Sequence, residues 1–550
     1  MDISQSNQWR ALQEHFNNDL EDKSIIDFFK SPSRMQDLSK SFDQLHIDFS
    51  KQKITLDTIE LLFELAEKSG LKKEINKLIA GDCVNSTEKR PALHTALRLS
   101  KNDSLIVNDE DLNSEVQLAL NDMSKIIDDL TTGNWRGFSG KPIADIINLG
   151  VGGSDLGPLL VCHALDEFKK NYSNNINVHF ASTMDGSQIS TLFEQLNPET
   201  TIFVIVSKSF STIDTLANAA SAKAWLMSFC ENEKTILKQH FIGISTTEKK
   251  MSEWGIHTDH QLKLWDWVGG RFSLWSTVGL TIALKIGVEN FKLFLKGANA
   301  LDVHFSNEKF ENNLPVLLGL LGIWNTNFLK INTQAILPYD ARLKYFPNYL
   351  TQLEMESNGK SVTHGGEQVT YETCPILWGE VGPNAQHAFY QLLHQGTQKV
   401  ACDFIAPISR SKNDKSQHSS SLNEQNILSL ANCFAQSRAL MIGNSETTSQ
   451  DKLSPHKQYP GNQPSTTILL KKLTPYSLGQ LIALYEHKVF VMATVWNINP
   501  FDQWGVELGK NMAQEVLKQF SINDEASNFD PSTNDLINQV SKDIKEDKKL

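Results

Sequence analysis

The feature that most constrains this chain is a regular alternation that begins at Asp145. Ile146-Ile147-Asn148-Leu149 is an apolar run of strand length that ends in Gly-rich sequence. Residues 155–168 then carry helical spacing, 178–181 read as a strand and 189–196 as a helix. Ile202-Phe203-Val204-Ile205-Val206 is a strand rich in β-branched residues, 213–229 a helix and 241–244 a strand. Strands that alternate with helices predict βαβ units, and so a parallel sheet covered on both faces. Ligands of such sheets collect at the carboxyl ends of the strands. Helical stretches follow at 276–300, broken at Gly287, and at 314–329. The alternation then resumes, with strands at 334–337, 375–378, 401–405 and 467–470 and helices at 342–353, 386–394, 426–441 and 477–496. A last helix is expected at 506–520. No short-period repeat is visible, although the two α/β halves are candidates for distant copies of one unit.

The flanks read differently. Residues 1–130 are mostly helical in pattern, in short polar-rich pieces that suit a wrapping layer. Residues 85–91 offer helix-starting chemistry, with Leu93, Ala96 and Leu97 following on one face. Segments 409–421 and 445–465 are polar and read as exposed loops. Beyond Asp524 the tail turns polar and then charged, as expected of a segment that frays or lies on a partner. The 550 residues exceed one core, so two large domains are expected.

With 40% hydrophobic and 21% charged residues the chain is of the globular, soluble class. Its net charge of -12 gives no general reason to bind nucleic acid or an anionic membrane. The six cysteines form no CxxC or CxxH pair, which argues for a reducing compartment and against a disulfide framework or zinc site. The N-terminus lacks a basic and an apolar signal region, and no stretch of about 18 apolar residues exists, so the expected location is the cytoplasm.

Several stretches could carry chemistry. Gly150-Val151-Gly152-Gly153-Ser154-Asp155 follows a strand and opens a helix, as either a ligand loop or a tight structural turn. Asp155 stands where a dinucleotide fingerprint needs its third glycine, which disfavours a nicotinamide-dependent dehydrogenase. Ser207-Lys208-Ser209-Phe210-Ser211-Thr212 places four hydroxyls and an ammonium at a helix start, a good monophosphate cradle. The turn has no acidic metal-binding partner, so a sugar phosphate fits it better than a nucleoside triphosphate with magnesium. Asp266-Trp267-Val268-Gly269-Gly270-Arg271-Phe272-Ser273 sets a guanidinium after a Gly-Gly turn, either facing a developing oxyanion or paired structurally with a carboxylate. Leu353-Glu354-Met355-Glu356-Ser357-Asn358-Gly359-Lys360 ends the helix expected at 342–353. Glu356 there is either a base aimed into a loop region or half of a solvated pair with Lys360. His387 near a helix start and Lys510 two turns into another are undecided in isolation.

Together these motifs resemble the glucose-6-phosphate isomerase (phosphoglucose isomerase) family. The resemblance runs from Asn85-Ser-Thr-Glu-Lys-Arg-Pro-Ala-Leu-His94 to Lys510. Its most diagnostic segments are Asp266-Trp-Val-Gly-Gly-Arg-Phe-Ser273 and Phe501-Asp-Gln-Trp-Gly-Val-Glu-Leu-Gly-Lys510. Met355-Glu-Ser-Asn-Gly-Lys360, Gln386-His-Ala-Phe-Tyr-Gln-Leu392 and Leu484-Tyr-Glu-His-Lys488 add to it. The resemblance implies two α/β/α sandwich domains of the sugar-isomerase (SIS) type with mainly parallel sheets. They would span 131–290 (smaller, with the phosphate loop) and 291–515 (larger). A helical N-terminal segment (1–130) would pack on the larger domain, and 516–550 would form a C-terminal helix and tail. It implies reversible conversion of glucose 6-phosphate to fructose 6-phosphate in glycolysis and gluconeogenesis, with no metal or organic cofactor. It also implies a homodimer with active sites shared between subunits. Glu356 stands at the position of the base that moves a proton between C2 and C1. His387 stands at that of the ring-opening histidine from the neighbouring subunit, and Lys510 at that of the lysine assisting at the ring oxygen. Arg271 matches the arginine facing the enediolate. Ser207, Lys208, Ser209 and Thr212 match the phosphate loop, and Gly153, Ser154, Gln352 and Gln503 further substrate contacts.

The sequence departs from the family at Ser209 and Ser211, where threonines are usual, and at Asp214, where many members carry Glu. Pro383 and Ala385 also replace the usual residues before His387. The alternative function is a non-catalytic sugar-phosphate-binding regulator on the same fold, against which Glu356, His387 and Lys510 all stand.

Overall fold

The computed structural model describes residues 2–172, 176–409, 419–444, 454–520 and 525–547. The chain divides into two units, Met1–Pro500 and Phe501–Leu550.

Within the first unit, one sheet holds the strands Asp145–Leu149, Asn177–Ala181, Thr201–Val206, Phe241–Ser245 and Gln261–Lys263. Their spatial order is 177, 145, 201, 241, 261, and every pairing is parallel. The Thr201–Val206 strand is buried at all its residues, which is why its sequence is apolar without alternation. The second strand in sequence lies outside the first, and the third lies on the first strand's other side. Winding therefore reverses between the 145 and 201 strands, and their carboxyl ends diverge around a crevice. The turns that leave those two ends are the Gly-rich 150–155 segment and the hydroxyl-rich 207–212 segment.

The second sheet has six strands, in the order 39, 45, 465, 401, 333, 376. Thr333–Pro338, Ile376–Gly379, Ala401–Ser409 and Ser465–Lys472 are mutually parallel, wound in the same relative order as the first four strands of the other sheet. Ser39–Phe42 and Leu45–Asp48 add an antiparallel hairpin at one edge. The helical reading of the N-terminal segment missed this hairpin. Its strands are four residues each, and the alternation that buries Leu45 and Ile47 is too short to stand out. Residues 85–98 likewise form a bridge between Asn85 and Arg90 and only a short 3-10 turn at Ala96–Arg98.

Two further boundaries differ from the sequence reading. The helix expected at 342–353 runs from Phe346 to Asn358, with Pro347 in its first turn, where its missing N–H and fixed φ do no harm. Glu356 therefore sits inside the last helical turn. The helix expected at 386–394 is two short ones, Gly382–Ala388 and Tyr390–Gln395. The tail is ordered into a helix, Pro531–Asp547, started by Asp530, whose carboxylate accepts from the backbone N–H groups of Ser532 and Thr533. Most of the polar loop at 409–421, and 445–453 of the second, lie outside the described residues.

The Pro475–Val495 helix is buried on nearly every face, consistent with a sequence that has no polar side. It packs on the Val288–Asn307 helix through two glycines. A Cβ on Gly297 would fall 1.9 Å from the Tyr476 carbonyl oxygen, and one on Gly479 would fall 2.2 Å from that of Phe294. Among the described residues no helix is long and apolar enough to cross a membrane.

Candidate active site

The site is built outward from the Phe346–Asn358 helix. Gln352 and Glu356 are one turn apart on one face, and Gln352 Nε2 donates to Glu356 Oε2 at 3.1 Å. On the same oxygen, Arg271 Nη1 stands 3.3 Å away. The Arg271 side chain is fully buried, whereas Glu356 keeps 20% of its surface open. The guanidinium is held from two other directions. Its Nε donates to Ser357 Oγ at 2.6 Å, and its Nη2 donates to the Pro500 carbonyl at 2.5 Å. A planar cation so fixed, in a site of low dielectric, stabilises negative charge at one defined place. Gln352 Oε1 is buried with no hydrogen-bond partner in the protein.

Lys360 does not form the solvated pair with the Glu356 carboxylate that the sequence allowed. Its ammonium donates to the carbonyls of Glu356, Ser357 and Asn499 at 3.1, 2.9 and 3.0 Å. It satisfies the open carbonyls at the helix end and favours the negative end of the helix dipole. Among the described residues the Glu356 carboxylate meets Gln352 and Arg271.

The loop that carries Arg271 is a junction. Lys208 Nζ donates to the carbonyls of Asp266 at 2.8 Å and Val268 at 2.7 Å. Burial first, and then the positive charge of Arg90, pushes the Lys208 pKa down to about 8. Gly153 lies flat on the same loop: a Cβ there would be 2.1 Å from the Gly270 carbonyl oxygen and 2.6 Å from the Arg271 nitrogen. Gly152 has φ +59 and faces Gln352 Nε2, which an added Cβ would approach to 2.8 Å. Close approach of backbone requires glycine at 153, and the positive φ favours it at 152. The neighbouring Ser154 is half-buried, and its carbonyl accepts from Asn148 Nδ2 at 3.0 Å. In the hydroxyl-rich turn, the Ser207 and Thr212 hydroxyls pair at 3.0 Å and those of Ser209 and Ser211 at 2.7 Å. Thr212 is the residue from which the Ile213–Met227 helix starts. Hydroxyls that bond one another at a helix start can turn to an anion without a change of backbone.

Glu356, Arg271, Gln352, Gly153, Ser154 and Lys208 are thus linked through two helices and one loop, with Ser207, Ser209 and Thr212 on the turn that Lys208 belongs to. His387 is not linked to them within the chain. It is exposed on the Gly382–Ala388 helix. Lys510 lies in the second unit with 57% of its side chain exposed, paired with Glu507 one turn away at 2.9 Å. Gln503, also in that unit, is exposed. Sequence reasoning missed Ser357, although it stands beside Glu356. A serine in a helix-ending Ser-Asn-Gly reads as turn chemistry, and nothing local reveals a guanidinium 86 residues away.

The family profile of phosphoglucose isomerase matches residues 48–537. The chain belongs to the phosphoglucose isomerase family. The glucose-6-phosphate isomerase of Hydrogenovibrio crunogenus is 52% identical over 548 residues, which cover 98% of this chain and 100% of that one. That of Acinetobacter baumannii strain AYE is 54% identical, over 93% of this chain and 92% of its own. Among solved structures, a glucose-6-phosphate isomerase from Chlamydia trachomatis superposes with a TM-score of 0.85 at 29% identity, covering 98% of this chain and all of the other. Likeness to phosphoglucose isomerases therefore extends beyond the 85–510 stretch that carries the motifs.

Proposed function

We infer that this chain is an enzyme that interconverts D-glucose 6-phosphate and D-fructose 6-phosphate, an aldose–ketose isomerisation. The observation that carries the inference is the partly open Glu356 carboxylate set 3.3 Å from the buried Arg271 guanidinium in a chain of this family. On the open-chain aldose, Glu356 takes the C2 proton. The C–H electrons form the C1–C2 double bond, and the carbonyl electrons move to O1, giving a cis-enediolate. Arg271 stabilises that oxyanion, the O2 proton passes to O1, and Glu356 returns its proton to C1 to leave the ketone at C2. One carboxylate serves both carbons because they present the same face of a planar intermediate. Gln352 fixes the Glu356 rotamer. Lys208, Ser207, Ser209 and Thr212 hold the phosphate, with Gly153 and Ser154 against the sugar.

The substrate is mainly a closed ring, so a proton must reach the ring oxygen first. We assign that step to His387 and Lys510, with Gln503 as a further substrate contact. An exposed His387 suits donation to a neighbouring copy, so the proposed assembly is a homodimer with shared sites. The proposed setting is the cytoplasm, in glycolysis and gluconeogenesis. We also propose the division into sugar-isomerase-type domains at 131–290 and 291–515. A coupled assay that follows glucose 6-phosphate formed from fructose 6-phosphate tests the function: steady turnover is expected, and its absence in folded protein overturns the reading.

A further inference from the structure

Leu484-Tyr-Glu-His-Lys488 is a family motif to which the site above gives no role. Its helix, Pro475–Val495, is buried on nearly every face, and four consecutive side chains leave it in four directions. Tyr485 donates to Asp403 Oδ2 at 2.8 Å, on the central strands of the second sheet. Glu486 accepts from Arg98 Nη1 at 2.6 Å and from Trp275 Nε1 at 2.8 Å. His487 Nε2 meets Asp302 Oδ1 at 2.6 Å on the Val288–Asn307 helix. Lys488 Nζ donates to Glu354 Oε2 at 2.7 Å and to Gln334 Oε1 at 3.0 Å. Glu354, Glu486, His487 and Lys488 all expose 1% or less of their surface.

Two of these partners are special by position. Glu354 precedes Glu356 by two residues, so it points from the opposite side of the same helix. Trp275 is four residues past Arg271 in the same 3-10 helix, Gly270–Trp275. The motif therefore reaches, from behind, the two elements whose front faces carry the Arg271–Glu356 pair. A side chain that only filled the core would not need an ammonium and a carboxylate here. Buried ions cost several kcal/mol each to desolvate, and apolar residues of the same volume stabilise as well or better. What an ion pair supplies instead is a fixed direction and length.

We propose that Glu486 and Lys488 are positioning residues that set the spacing between Arg271 and Glu356, acting through Trp275 and Glu354. This rests on the roles given above to Arg271 and Glu356. A lateral slip of about 1 Å at a reacting centre can cost on the order of 100-fold in rate. Two near-isosteric variants test the proposal. Glu354→Gln keeps an acceptor for Lys488 but removes the charge, and Trp275→Phe keeps the ring but removes the N–H. Each is expected to lower kcat for fructose 6-phosphate roughly tenfold while KM moves less than about twofold. The double variant is expected to lose less than the product of the two single losses, because both act on one spacing. Variants that lower Tm but keep kcat per folded enzyme within about twofold of wild type, or two losses that multiply fully, overturn the positioning role. An inactive wild type overturns the isomerase reading and the proposal together. An active wild type with unaffected variants overturns the proposal alone.

Discussion

The chemistry at Glu356 depends on what is kept away from it as much as on what touches it. Lys360 donates to three carbonyls, and among the described residues the carboxylate meets the Gln352 amide and the Arg271 guanidinium. Glu356→Gln should lower kcat by about 1,000-fold or more while leaving the affinity for a sugar phosphate within a few-fold, because the amide keeps the shape but cannot take a proton. Turnover near wild type would refute the assigned role. Lys208 gives a pH signature. Its pKa is pushed down to about 8, so the ligand-free protein loses this ammonium as pH rises through that value. KM for phosphorylated sugars should climb above about pH 8, and Lys208→Met should show a raised KM without that climb. Asp155 titrates in the other direction. Burial raises its carboxyl from 3.8 to about 6, so the folded state holds a proton that the unfolded chain releases near pH 4. The stability this gives is complete below the unfolded value and is lost as pH rises through about 6. The Tm of wild type relative to Asp155→Asn should fall between pH 4 and 6 and then level, a change on the order of 3 kcal/mol at most. At this scale the sequence singled out Glu356, Arg271 and Gly153, and the fold brings the three into one neighbourhood. It was illegible for Ser357 and Lys360, whose partners are brought close only by tertiary contact.

Elements were readable in proportion to the length of their pattern. The Thr201–Val206 strand and the Pro475–Val495 helix carry long unbroken runs and were found. The Ser39–Phe42 and Leu45–Asp48 hairpin is shorter than either period needs, and its place was decided by the open edge of the Ser465–Lys472 strand. The split at Phe389 was also unreadable, since nothing in Gln386-His-Ala-Phe-Tyr-Gln-Leu392 breaks a helix. Where two helices meet, small residues set the distance. Gly479→Ala would drive a methyl group to 2.2 Å from the Phe294 carbonyl oxygen, so the Pro475–Val495 and Val288–Asn307 helices must part. A destabilisation of about 1–3 kcal/mol is expected, measurable as a lower urea midpoint with an unchanged slope. An unchanged midpoint would mean that the pair yields without cost.

For the whole molecule, Glu356, Arg271 and the 207–212 turn lie in the Met1–Pro500 unit, and His387 of the same unit is exposed. The expectation that a neighbouring subunit supplies His387 came from family resemblance alone, because exposure in an assembly cannot be read from one chain's periodicity. Mixed dimers of a Glu356→Gln and a His387→Ala chain should regain up to about a quarter of wild-type activity, since one of two shared sites then receives both groups in half of the molecules formed. Verified mixed dimers with no activity would exclude sharing. The buried Pro475–Val495 helix has a consequence of another kind. Its residues are buried on nearly every face, so deuterium is expected to enter its amides only when the Met1–Pro500 unit unfolds as a whole. Hydrogen exchange at this helix therefore reports global stability directly. If this helix ties Arg271 and Glu356 as proposed, loss of their spacing and exchange of its last amides should follow one denaturation curve, whereas activity, which also needs His387 and Lys510, can be lost earlier.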